Sequence, residues 1–266
     1  LEAMSLLPET PSDRTLPPTS KCGTQAKGCV GFVEGCVMPV MFGGTNHASV
    51  QLLNQSGYDV ETPSGQGCCG ALYAHSGQLE KARECARQNI ASFEKLNLDA
   101  IVINAAGCGS TLKEYGELLA DDTDWRERAS RFSGQVKDLT EWLETSQFPA
   151  LDSKLKVTYH DACHLAHPQG ITMEPRALVK AVVGDRFIEL PEADICCGSA
   201  GSYNLTEPEM AERLQQRKIN NLLSTGADIC VTTNPGCMLQ IQAGLKKAGS
   251  EMRVQHIADF LIGPGE

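Results

Sequence analysis

Eight of the twelve cysteines in this 266-residue chain fall into two sets of four with nearly the same internal spacing. Cys36 is followed by Cys68-Cys69 and then Cys108, and Cys163 is followed by Cys196-Cys197 and then Cys237. The intervening stretches hold 31 and 38 residues in the first set and 32 and 39 in the second. Four soft thiolates are the number that an iron-sulfur cluster or a closed tetrahedral zinc site requires, so the pattern implies two sites per chain. Zinc sites usually draw on local C-x2-C knuckles. Here the only close pair in each set is directly adjacent and the other thiols come from separate loops, which suits a larger multi-iron ligand and leaves zinc as the alternative. Cysteine also serves as a small buried hydrophobe, and that is the reading for Cys85 in a helical stretch and Cys230 in an apolar one. Cys22 and Cys29 precede the repeat, have no counterparts in the second half, and are left unassigned.

The elements that must position these thiols repeat as well. GCVGFVEGC (28–36), DAIVIN (99–104), LKVTYHDAC (155–163) and ADICVTTN (227–234) read as short apolar strands. Helical periodicity covers 46–57, 79–96, 174–184 and the stretch EMAERLQQRKINNLLSTG, and AAGCGSTLKEYGELL and PGCMLQIQAGLKKAG turn at Gly-Cys into further helices. RFIELPEAD stands where YDVET stands in the first half. Equivalent cysteines lie 127, 128 and 129 positions apart, which is the signature of a duplicated unit. QVKDLTEWL resembles RVQHIADFL, and their smaller offset implies an extra segment near 123–132 in the first half.

Strands alternating with helices predict an α/β fold of two pseudo-equivalent lobes, each built of βαβ units with mainly parallel sheets. Loops leaving the carboxyl ends of the strands then bring the cysteines together. The divisions expected are a proline-rich linker or tail at 1–27, a first cysteine-rich domain at 28–150 and a second at 151–266. Gly35, Gly70, Gly107, Gly198 and Gly236 beside the thiols permit positive φ and leave room for a bulky anionic ligand. Helices starting after the cysteines would aim their positive ends at it.

Acidic residues exceed basic ones by 10, which argues against a nucleic-acid partner. No apolar run approaches the ~18 residues needed to span a bilayer, and no secretory leader is legible, so reduced cytoplasmic thiols are expected rather than a disulfide scaffold. A start at Leu1 with Pro8, Pro11, Pro17 and Pro18 close behind leads us to expect a processed or truncated polypeptide, or one whose preceding domain is missing. Neither a G-x-G-x-x-G nor a G-x4-G-K-[ST] loop occurs, so neither flavin nor nucleotide is expected on this chain. His160, His164 and His167 cluster with Asp161 around Cys163. Three roles are open to them: hydrogen-bonding support around a cluster, proton relay at an acceptor-facing edge, or substitute ligand.

With GQGCCGALYAHSG, NAAGCGSTLKEYGELL, TYHDACHLAHPQG, CCGSAGSYNLTEPEMAERL and NPGCMLQIQAGL in view, the chain resembles the cysteine-rich CCG domain family, in particular iron-sulfur subunits of the glycolate oxidase type. The likeness extends to the CCG-bearing component of heterodisulfide reductases and to iron-sulfur proteins of lactate utilisation. It implies an electron-transfer subunit that holds iron-sulfur clusters, four-iron four-sulfur in type, on the eight repeated cysteines. FAD would sit only on partner subunits of a glycolate oxidase or D-lactate-type dehydrogenase, with a ferredoxin-like domain or protein and a quinone-type acceptor as further partners. Location would be cytoplasmic, with membrane association through those partners. Relatives of the reductase type carry CxxC where this chain has Ala105 and Asn234 before its last cysteines, which counts against disulfide-cleaving chemistry here.

Overall fold

The computed structural model describes residues 15–263, apart from 24, 144 and 152. The described residues up to 145 form one compact unit and those from 146 onward another.

The first unit is built on a five-stranded sheet of β1 (Thr19–Ser20), β2 (Gly28–Val33), β3 (Tyr58–Glu61), β4 (Ala100–Ile103) and β5 (Val136–Asp138). Its order is β1-β3-β2-β4-β5, and every neighbouring pair is parallel except β1 on β3. Eight helices accompany it: α1 (Met38–Met41), α2 (Gly43–Gln55), α3 (Ala71–His75), α4 (Leu79–Phe93), α5 (Ala106–Lys113), α6 (Tyr115–Leu118), α7 (Arg126–Gln135) and α8 (Leu139–Trp142). Strand β4 reads Ala-Ile-Val-Ile without polar alternation because all four residues are buried, as parallel strands between helices require. Helix α4 buries Ala82, Ala86, Asn89, Ile90 and Phe93, a three-and-four spacing that lays one face on the sheet. The extra segment expected near 123–132 is α7, whose Phe132 stacks on Tyr115 at 5.4 Å between ring centroids.

The second unit carries β6 (Val157–Tyr159), β7 (Ile229–Thr232) and β8 (Arg253–His256), parallel throughout in the order β6-β7-β8. Its helices are α9 (Cys163–Ala166), α10 (Met173–Val183), α11 (Tyr203–Thr206), α12 (Pro208–Thr225), α13 (Pro235–Lys247) and α14 (Ile257–Ile262). Strands β6, β7 and β8 repeat β2, β4 and β5. The counterpart of β3 shrinks to one parallel bridge, Val157 to Phe187. Pro191 has no N–H to give a ladder, and Glu192 turns away with φ +51°.

The proline-rich start lies outside the described residues up to position 14. Beyond it Leu16 is buried and Thr19–Ser20 pair with Val60 and Glu61, so this part of the stretch is an edge strand. Backbone pairing is backed by Lys21 Nζ on Asp59 at 2.9 Å and by Ser20 Oγ donating to Asn54 at 2.6 Å.

Candidate metal centre

In both units the thiols gather where parallel strands end. Cys36 follows β2 by three residues, and Cys108 is the third residue of α5, just past β4. Cys163 opens α9 after β6, and Cys237 is the third residue of α13 after β7. First-turn positions place Cys108 and Cys237 at the positive ends of α5 and α13. The adjacent pairs enter from the opposite direction on tight turns. Gly70 and Gly198 close them with φ of +84° and +92°, and their N–H groups lie 3.4 Å from Cys68 Sγ and 3.3 Å from Cys196 Sγ. Gly107 and Gly236 do not use positive φ as expected, because they lie inside the first turns of α5 and α13.

The four sulfurs of the first set form a connected run. Cys36 Sγ lies 3.6 Å from Cys68 Sγ, and Cys69 is hydrogen-bonded to Cys108 and Cys68. Donation from Cys36, then Cys69, holds the Cys68 thiol far below its ordinary range, while Cys36 and Cys69 are pushed up. Cys36 is exposed, Cys68 and Cys108 are half-buried and Cys69 is buried, so the run leads from surface to core. Two residues that sequence reasoning missed fix the pair from behind. Asn89 accepts from Gly67 N at 2.8 Å and donates to Cys68 O at 3.0 Å, and Tyr115 Oη donates to Cys69 O at 2.8 Å. Asn89 had a signal, since it is polar on the apolar stripe of α4; Tyr115 had none.

The second set repeats the run through Cys163, Cys196, Cys197 and Cys237. Cys196 is pulled down, first by Cys163 and then by Cys197. Cys237 is pulled down first by Cys197, against the opposing effect of burial. Asn234, standing where relatives have cysteine, turns its Nδ2 to Cys237 Sγ at 3.4 Å. Ala105, its counterpart, is buried and offers no donor.

The three histidines near Cys163 part company. His167 is exposed, and His164 Nδ1 lies 3.6 Å from Cys163 Sγ. His160 is wholly buried, with Nδ1 at 3.1 Å from Ala193 O, and among the described residues its Nε2 has no hydrogen-bond partner. Leaving such a group unmet costs about 1–3 kcal/mol, so its place next to the sulfurs calls for a reason. The donor atoms of His160, Cys197 and Cys237 all lie within 4.8 Å of one another. Behind them Lys218, also buried, donates to Glu192 O at 2.5 Å and Ala193 O at 3.1 Å. Burial pushes its ammonium down, and the neighbouring Cys197 acts against that. Its signal was a lysine on the buried stripe Ala211, Gln215, Ile219 and Leu222 of α12. Asp161, beside His160, is clamped by both terminal nitrogens of Arg176 at 2.6 Å.

The remaining cysteines stand apart from the runs. Cys230 is buried in β7 and its thiol is pushed up to about 12 by burial. Half-buried Cys85 packs on α4 behind Gly70, its thiol raised by burial. Cys22 and Cys29 lie by Asp59, at the end of β2 away from Cys36. Each run thus offers four soft sulfurs, with N–H donors turned toward Cys68 in the first and toward Cys196 and Cys237 in the second. That donor set fits a thiolate-bound iron-sulfur cluster or zinc.

The cysteine-rich domain family, whose profile bears the name CCG, matches residues 30–113 and 157–242. A protein of Bacillus subtilis (strain 168) described as "Probable glycolate oxidase iron-sulfur subunit" is 44% identical over 239 residues, covering 88% of this chain and 54% of the relative. The chain therefore spans about half the length of that relative. "Lactate utilization protein A" of Shouchella clausii (strain KSM-K16) is 30% identical over 230 residues, 85% of this chain and 95% of that protein. A hypothetical protein from Helicobacter pylori of known crystal structure shares the fold, with a TM-score of 0.65 at 12% identity over 99% of this chain and 53% of that one.

Proposed function

The chain belongs to the cysteine-rich CCG domain family, and from that premise we propose that it is the electron-transfer part of a 2-hydroxy acid oxidase complex of the glycolate oxidase type. The duplicated run of four connected thiols carries this reading. Cys36, Cys68, Cys69 and Cys108 would hold one cluster, and Cys163, Cys196, Cys197 and Cys237 the other. A four-iron four-sulfur cluster supplies reversible one-electron chemistry when bound.

What the chain's own residues contribute is placement and charge. The N–H groups of Gly70 and Gly198 and the first turns of α5 and α13 favour anionic sulfur. Asn89 and Tyr115 keep the Cys68-Cys69 backbone from relaxing, and Lys218 adds a buried cation beside Cys197. Exposed Cys36 brings the first site to the surface, where a redox partner can approach. Flavin and hydroxy acid would be held by partner subunits, with a quinone-type acceptor downstream and a ferredoxin-like domain or protein between. The names of the Bacillus subtilis and Shouchella clausii relatives support this assignment. Ala105 and Asn234, neither of them a thiol, count against a heterodisulfide-cleaving role.

Anaerobic purification with iron and acid-labile sulfide assay tests the reading. Two four-iron clusters give about eight irons and eight sulfides per chain, with two paramagnetic signals on reduction. Cys68→Ala should remove one signal and Cys196→Ala the other. A colourless protein with stoichiometric zinc would sink the proposal.

A further inference from the structure

We propose that His160 is a fifth metal donor of the second site, binding through Nε2 alongside Cys197 and Cys237, and that the first site has no such donor. The inference rests on the iron-sulfur reading above and gives its two halves different ligand sets.

Four observations lead to it. The imidazole is wholly buried and its Nε2 is one of the buried side-chain atoms without a hydrogen-bond partner among the described residues. A ring nitrogen of His160 lies with the sulfurs of Cys197 and Cys237 in one space, all three donor atoms within 4.8 Å of one another. Its tautomer follows from the other side of the ring. Nδ1 faces Ala193 O at 3.1 Å, and because a carbonyl can only accept, Nδ1 carries the hydrogen. In the neutral ring Nε2 is then a lone pair, the state that a metal requires, and a backbone carbonyl behind Nδ1 is the usual partner of a ligating histidine.

That carbonyl is itself fixed. It also accepts from Asp161 N at 3.2 Å and from Lys218 Nζ at 3.1 Å, so the ring cannot swing away without disturbing the end of β6 and helix α12. The fourth observation is asymmetry. In the repeat, His160 occupies the place of Val33, three residues before the first cysteine of its set, and Val33 is a buried hydrocarbon. Asn234 does not fill the role, since it turns an N–H donor to Cys237. His164 is the rival nitrogen, near Cys163 rather than the buried pair.

The test is pulsed electron paramagnetic resonance on the anaerobically purified, reduced chain, prepared with natural and 15N-labelled histidine. Expected is a nitrogen coupling of directly ligated size in one of the two cluster signals, shifting with the label. His160→Val, which copies Val33, should abolish that coupling and leave the other signal unchanged, while His164→Ala keeps it. If His160→Val fails to fold, a coupling present in the unsubstituted protein and retained in His164→Ala decides the matter. Two cluster signals without ligated nitrogen, or a coupling lost in His164→Ala instead, overturn His160 as a donor and leave the iron-sulfur reading standing. A chain without iron-sulfur signals overturns both.

Discussion

The glycines that close the two cysteine pairs differ in how tightly their neighbours hold them. A Cβ on Gly198 would sit 2.3 Å from the Ala211 carbonyl oxygen, whereas on Gly70 it would meet the Ala82 backbone at 3.2 Å. Both backbones have φ near +90°, which costs an L-residue roughly 1–2 kcal/mol. Only at Gly198 must helix backbone also move, an overpacking cost of about 1–3 kcal/mol. Gly198→Ala is therefore expected to destabilise by about 3 kcal/mol and Gly70→Ala by roughly half that, measured by urea unfolding; equal losses would show that the α12 contact relaxes freely. Doubled cysteines followed by glycine were legible in sequence because the covalent pattern repeats at a constant offset. Tyr115 was not, since it acts through a backbone carbonyl 46 positions away, and Asn89 and Lys218 showed only as polar residues on apolar stripes, their partners lying more than twenty positions off.

Strand-to-helix junctions repeat like the thiols but are capped by different chemistry. Asp138 ends β5 and caps α8, accepting from Thr140 N at 2.8 Å in a capping box with Glu141; His256 ends β8 and caps α14 through Nδ1, at 3.1 Å from Ala258 N. Burial pushes the Asp138 carboxyl up to about 6 against the opposing pull of the Thr140 hydrogen bonds. A carboxyl raised in the folded state stabilises below its unfolded value near 3.8 and loses that contribution as pH rises through 6. Over that window the loss is about 3 kcal/mol. Asp138→Asn retains a capping oxygen and removes the titration, so the stability difference between the two proteins should change by about that amount between pH 3.5 and 7. Parallel dependences would refute the assignment. Apolar runs and periodicity revealed the strands that became β2, β4, β6 and β7 and the long helices α4, α10, α12 and α13, because burial on both faces or along one stripe writes itself into residue type. The same reasoning overextended RFIELPEAD to match YDVET, where the ladder ends after one bridge at Phe187 and the Ile188 carbonyl is taken by the Thr158 hydroxyl, and it passed over β1, whose two residues owe their pairing to a partner strand.

At the scale of the whole chain, each set of thiols ties together three segments that local structure alone leaves distant in sequence. One site joins Cys36 to the 68–69 pair across 31 residues and that pair to Cys108 across 38; the other spans 32 and 39. A cluster held at four points would close two such loops, and closing a loop of this length restricts the unfolded chain by about 4 kcal/mol in the chain-entropy picture. Binding free energy at such a site is folding free energy, because the donors are assembled only in the folded state. It would also relieve the cost of crowding buried thiols such as Cys69, Cys197 and Cys237. Removing iron with a chelator under reducing conditions should thus lower the melting temperature by roughly 15 °C or more. The loss should also be divisible: Cys36→Ala and Cys163→Ala each forfeit one site's share of iron and stability, whereas Cys22→Ala, outside both runs, forfeits neither. If the iron-free chain melts where the loaded one does, the sulfurs are held by the fold alone and the clusters serve no structural purpose.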